Sequence, residues 1–121
     1  MKNTILQIKS YAFAIRIVRL AQRLQSEKEF VLSKQVLKSG TSIGANIREA
    51  EFAPSAADFI NKMNISLKEA NETEFWLNLL MDTDYMTEEE HKSYCSDCKE
   101  LIAMLVSTII TKRKNMDMVL K

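Results

Sequence analysis

The chain has 121 residues, 46% of them hydrophobic, and a formal net charge of +1. That length fits one domain, residues 1–121, and the charge supplies no global pull toward nucleic acid or membrane. Two glycines and one proline argue against a turn-rich β protein and for long helices, and two cysteines three positions apart do not make a secreted disulfide framework.

The first helix is predicted over residues 4–26. Lys9, Arg16, Arg19 and Arg23 fall on one side of it. They interrupt the apolar stretch that a signal peptide would need. No apolar run reaches bilayer-spanning length, so the expected location is the cytoplasm. Leu6, Ile8, Tyr11, Phe13, Ile15, Ile17, Val18, Leu20 and Leu24 cover most of the remaining circumference. That is about twice the stripe of ~100° that a bundle helix buries. Either this helix is central to the fold or one side of it packs on another subunit.

A polar break at residues 25–30 precedes a second helix over residues 31–52. Leu32, Val36, Ile43, Ile47 and Ala50 form its expected core face. Gly40 and Gly44 sit one turn apart inside it. Each costs roughly 1 kcal/mol relative to alanine, so another backbone is expected to come close. Pro54 marks the second break. Ser55 is placed to cap a third helix, with Asp58 complementing the helix dipole. That helix is predicted over residues 56–82. One seam holds Phe59, Ile60, Met63, Leu67, Ala70, Leu77 and Met81. A second face holds Ile65, Glu69, Glu72, Trp76 and Leu80. After a break at residues 82–86, Thr87 and Glu90 read as a capping box. The fourth helix follows to about residue 114, with His91, Cys95, Cys98, Ile102, Leu105 and Ile109 along its seam. Short breaks make successive helices antiparallel neighbours. The expected fold is all-α, an antiparallel up-down-up-down four-helix bundle.

Catalytic and metal chemistry find little support in this sequence. A zinc site on His91, Cys95 and Cys98 lacks a fourth N or S ligand, and Glu72 would have to serve; core packing of the cysteines is the preferred reading. One Glu88-x-x-His91 step cannot build a di-iron site. Gly40-x-x-x-Gly44 lacks the Lys-Ser/Thr and the preceding strand of a phosphate loop. No catalytic residue, cofactor or metal is assigned. In the second and third helices, a buried pair of Arg48 with Glu69 or Glu72 is the expected solution to their shared placement. The basic arc of the first helix, with Lys112, Arg113 and Lys114 at the end of the fourth, is the candidate nucleic-acid surface. Repetition of weak contacts around an oligomer would add avidity, and such contacts would be sequence-tolerant and salt-sensitive.

The segment KSGTSIGANIREAE at residues 38–51, then Ser55-x-x-Asp58-Phe59-Ile60 and KEANETEFWLNLL at residues 68–80, resemble a bacterial four-helix-bundle family. Its founding members are encoded within intervening sequences of 23S ribosomal RNA genes. The resemblance covers roughly residues 11–114. Many relatives have arginine where this chain has Lys38. The family is similar in fold to the accessory protein of diversity-generating retroelements, a homopentameric barrel that works with a reverse transcriptase and nucleic acid. The resemblance therefore implies a pentamer, and it marks Ser42, Asn46, Arg48, Glu69, Glu72 and Trp76 as motif residues with a structural role. The expected function is a non-enzymatic homo-oligomeric scaffold or binding module with weak RNA or DNA contacts. One alternative is an adaptor for a protein partner such as a reverse transcriptase or nuclease. The other is an enzyme or small-molecule binder using Arg48, Glu69 and Glu72.

Overall fold

In a computed structural model, which describes residues 3–120 with side chains to Met118, the chain forms four helices. The outermost residues of the expected 1–121 domain lie outside the described part. The helices are α1 (Ile5–Ser26), α2 (Val31–Glu51), α3 (Ala56–Asp82) and α4 (Glu88–Leu120). They form the expected antiparallel up-down-up-down bundle. Each helix packs on its two neighbours around a square, and α1 and α3 stand on the diagonal.

Local signals set most of the ends. Thr4 caps α1 reciprocally with Gln7. Ser55 Oγ accepts from the Asp58 amide at 3.1 Å. The Thr87 hydroxyl accepts from the Glu90 amide at 3.1 Å, while the Glu90 carboxylate accepts from the Thr87 amide at 3.2 Å. Each device satisfies amides that the first helical turn leaves open. Lys28 and Asp84, in the turns after α1 and α3, adopt left-handed backbone with φ of 66° and 68°. The fourth helix continues past the expected end near residue 114 to Leu120. No proline or glycine follows Lys114 to stop it, and Met116 still packs against the core.

The core is built from Phe13, Ile17, Leu20 and Leu24 of α1, Val36, Ile43 and Ile47 of α2, Leu77 and Leu80 of α3, and Leu101 and Leu105 of α4. Leu80, expected on the second face of α3, is fully buried here. The α2 helix fits closely against both neighbours. Toward α1 it turns its glycines: Gly40 faces Ile17, and Gly44 faces the backbone and hydroxyl of Ser10. Toward α3 it presents small hydroxyls. Ser66 Oγ donates to the Ile43 carbonyl at 2.8 Å, and Thr73 Oγ1 lies 3.0 Å from Ser39 Oγ. These buried hydroxyls take partners across the seam, as buried polar groups must.

Candidate interaction surface

The cations of α1 divide into three and one. Lys9 Nζ meets Glu100 Oε1 at 2.5 Å, Arg16 meets Asp97 Oδ2 at 2.6 Å, and Arg23 meets Glu90. Arg16 also donates to Ser93 Oγ at 2.9 Å and lies over the Tyr94 ring, 4.0 Å from its centroid. Arg23 donates to the Tyr85 carbonyl at 2.9 Å. Positions 9, 16 and 23 recur at heptad spacing, as do 90 and 97 on α4. On antiparallel helices that spacing brings Arg16 to Asp97 and Arg23 to Glu90, and Lys9 reaches Glu100, short of the next repeat. The expected cationic arc is therefore largely a zipper between α1 and α4, the pair of neighbouring helices in thinnest contact. Half-exposed pairs of this kind contribute about 0.2–1 kcal/mol each. Arg19 is exposed and, among the described residues, has no ion-pair partner. At the far end of α4, Lys112 Nζ sits 5.0 Å from the Phe59 ring centroid, and Arg113 and Lys114 are exposed.

The motif residues of α2 and α3 do not form the expected buried ion pair. Arg48 is exposed near the turn after α2, lining a shallow depression with Phe52, Pro54 and Asp58. It stands beside the first turns of α3, near Asn61 and Lys62, because Ser66 is level with Ile43; Glu69 and Glu72 lie about two to three turns further along α3, and neither meets it. Glu69 and Glu72 instead lie close to one another, one turn apart on α3. Burial first, and then the Glu72 charge, raise the Glu69 carboxyl above its ordinary value, with Lys38 and Lys68 opposing. Ser42 Oγ donates to the Lys38 carbonyl at 2.6 Å and Asn46 Nδ2 to the Ser42 carbonyl at 2.8 Å. Both bonds stay inside α2. Trp76 stacks edge-on with Phe75, with ring centroids 4.9 Å apart. Its indole N–H is buried and, among the described residues, without an acceptor.

Three groups weighed as metal ligands come together only in part. His91 Nε2 lies 2.7 Å from Asn78 Oδ1 and 3.3 Å from Cys95 Sγ. The Cys98 thiol turns inward and donates to the Ala70 carbonyl at 3.3 Å. Burial raises both thiols, Cys98 to about 12, so neither is an activated nucleophile. Glu72 stays exposed on α3, beside Glu69.

The largest uncovered apolar feature is on α1. Ile8, Tyr11, Ile15 and Val18 are 56%, 70%, 42% and 37% exposed. They follow one another at steps of three and four residues and form one continuous stripe opposite the core-facing side. This is the surplus apolar arc anticipated from the sequence. On α3, Phe75 is 58% exposed; sequence periodicity did not single it out, and the Phe75-Trp76 doublet was the available signal.

The profile of the 23S rRNA-intervening sequence protein family matches residues 2–107. The chain belongs to this family. Its fold is shared with a crystal structure of a protein of unknown function from the S23 ribosomal protein family of Bacteroides thetaiotaomicron VPI-5482. That protein is 58% identical, and the alignment covers 87% of this chain and 98% of the other with a TM-score of 0.85. Among curated proteins, none matches the chain. Among the described residues, no helix is long and apolar enough to cross a membrane.

Proposed function

We propose that this member of the family is a non-enzymatic scaffold that works as a homo-oligomer, with the pentamer implied by the family resemblance as its assembled form. The exposed stripe Ile8, Tyr11, Ile15 and Val18 carries this reading. An apolar row of this length along a helix marks an interaction site more often than a solvated face. Light scattering tests it: the expected mass is that of a pentamer of the 13.9 kDa chain, and a monomer at micromolar concentration overturns the reading.

Contact with RNA or DNA, as a second activity of the assembly, falls to Arg113 and Lys114, because Lys9, Arg16 and Arg23 already hold α4. The exposure of the α4 cations favours it, and a ring would repeat them. Fluorescence anisotropy with labelled RNA and DNA at two salt concentrations decides this part. Salt-sensitive binding that is lost in Arg113→Glu with Lys114→Glu supports it. No binding removes it and leaves an adaptor for a protein partner as the activity to seek by pull-down.

A further inference from the structure

Two outer faces of the bundle share one spacing. The exposed side of α1 runs Ile8, Tyr11, Ile15, Val18, Gln22. On the diagonal helix α3, the outward positions run Ile65, Lys68, Glu72, Phe75, Leu79. Each α3 position follows its α1 counterpart by the same interval along the chain. The height of each helix in the bundle is fixed by contacts through α2. Ser10 lies against Gly44, beside Ile43, whose carbonyl takes the Ser66 hydroxyl. Ile17 lies against Gly40, beside Ser39, which meets Thr73. So Ser10 stands level with Ser66 and Ile17 with Thr73. Both levels reproduce the interval between the two faces to within one residue, a rise of about 1.5 Å.

Charge selects between candidate partners for the α1 stripe. Along Ile5–Ser26 there is no Asp or Glu, so two α1 stripes laid together would oppose cations with cations. The outer face of α4 near Val106 and Ile110 is flanked by Lys99 and Arg113, which again opposes Arg19. The outer face of α3 carries Lys68, which falls level with Tyr11 and not with a cation, and it offers the exposed Glu72 beside Glu69, with Phe75 projecting next to them.

We propose that the α1 stripe of one copy docks on the outer α3 face of the next copy, parallel and at equal height, with Arg19 reaching Glu72. In that register Ile8 meets Ile65 and Val18 meets Phe75. Glu72 stands opposite Ile15, one helical turn from Arg19, which the long arginine side chain spans. The two faces differ, so the contact is heterologous and propagates. The copies share one height, so propagation about an axis parallel to the helices closes into a ring instead of climbing as a filament. This interface rests on the self-association proposed above and names the surfaces that make it.

The test is a cysteine pair in the full chain, Ile8→Cys with Ile65→Cys. Diagonal helices keep the two positions of one protomer too far apart to bond, and Cys95 and Cys98 are buried. After mild oxidation, the double variant should run as a ladder of covalent multimers ending in a closed species on a non-reducing gel. Each single variant should stay monomeric on that gel. Charge reversal is the second arm. Arg19→Glu and Glu72→Arg should each weaken association at least tenfold with helical circular dichroism unchanged, and together they should restore the wild-type mass. A monomeric wild type overturns the scaffold reading and this interface alike. An oligomeric wild type whose double variant gives no ladder overturns the interface alone. A ladder without rescue by the combined reversal overturns the Arg19–Glu72 pairing.

Discussion

Gly40 faces Ile17 so closely that a methyl group on it would stand 2.7 Å from Ile17 Cγ2 and 2.8 Å from Cγ1. Ile17 is fully buried and stiff at χ1 because it branches at Cβ. Gly40→Ala gains about 1 kcal/mol in helix propensity but overpacks a tight seam at a cost of about 1–3 kcal/mol. The expected net effect is destabilisation by about 1 kcal/mol, read as a lower urea midpoint with unchanged slope. In an Ile17→Ala background the same change should be neutral or stabilising, so the pair should show strong coupling in a double-mutant cycle. Gly44 is the control. A methyl group there would stand 3.3 Å from Ser10 Oγ and 3.4 Å from the Ser10 carbonyl oxygen. Small adjustment offsets its propensity gain, and Gly44→Ala should stay within about 0.5 kcal/mol of wild type.

The Arg23–Glu90 pair should make stability depend on pH. The Arg23 guanidinium, with help from Thr87, holds the Glu90 carboxyl below its ordinary value of 4.5, against an opposing effect of burial. The folded state thus binds this proton less readily than the unfolded one. The stabilisation is fully present above the ordinary carboxylate value and is lost as pH falls through the lower folded value. Glu90→Gln keeps a side chain able to close the capping box but removes the charge. It should cost about 1 kcal/mol at pH 7, and the gap should close as denaturation is repeated toward pH 3. A gap constant across that range would show that the charge contributes nothing.

Lys28 should be improved by glycine. Its φ of 66° is the left-handed conformation that closes α1: the Glu29 amide donates to the Leu24 carbonyl at 2.8 Å and the Lys28 amide to the Gln25 carbonyl at 2.9 Å. Residues with a Cβ hold this conformation at a cost of about 1–2 kcal/mol, and glycine holds it readily. Part of that gain goes to the greater freedom of glycine in the unfolded chain. Lys28→Gly should therefore raise stability by about 0.5–1 kcal/mol, seen as a higher thermal midpoint. The substitution touches no proposed contact surface, so oligomer mass should not change.

What could be read from the sequence was local or periodic. Ser55 with Asp58 and Thr87 with Glu90 act within one helical turn, and the structure keeps both. The surplus apolar arc of the first helix needed only its own spacing. Pairings between distant segments were harder. Lys9, Arg16 and Arg23 read as part of one basic arc open to nucleic acid, because their acids lie in α4, more than sixty residues away. The matching heptad spacing of 90 and 97 was present but is indistinguishable, by itself, from a surface row. Arg48 read as buried because Ile47 and Ala50 beside it are core residues. A helix turns about 100° per residue, and that one step carries Arg48 into solvent. Ser66 and Thr73 were not among the expected core positions, although each is completely buried, because a hydroxyl in a core needs an acceptor that only the folded partner helix provides.

Cys98 should be inert until the bundle opens. Its thiol is completely buried, donates to the Ala70 carbonyl and is pushed up to about 12. Alkylation proceeds through the thiolate, and an unperturbed cysteine has a pKa near 8.5. At pH 8, burial of the proton alone should slow reaction with iodoacetamide roughly a thousandfold relative to a free thiol, before access is considered. The measured labelling rate of Cys98, followed by peptide mass spectrometry, should therefore report opening of the α3–α4 seam. It should rise in step with destabilisation by Gly40→Ala if opening is global, since that substitution lies on the opposite seam. Rapid labelling in the native wild type would show that α4 separates from α3 without unfolding the rest. The Cys95 thiol, 7% exposed and 3.3 Å from His91 Nε2, should react first in that case, because it sits nearer the surface on the same helix face.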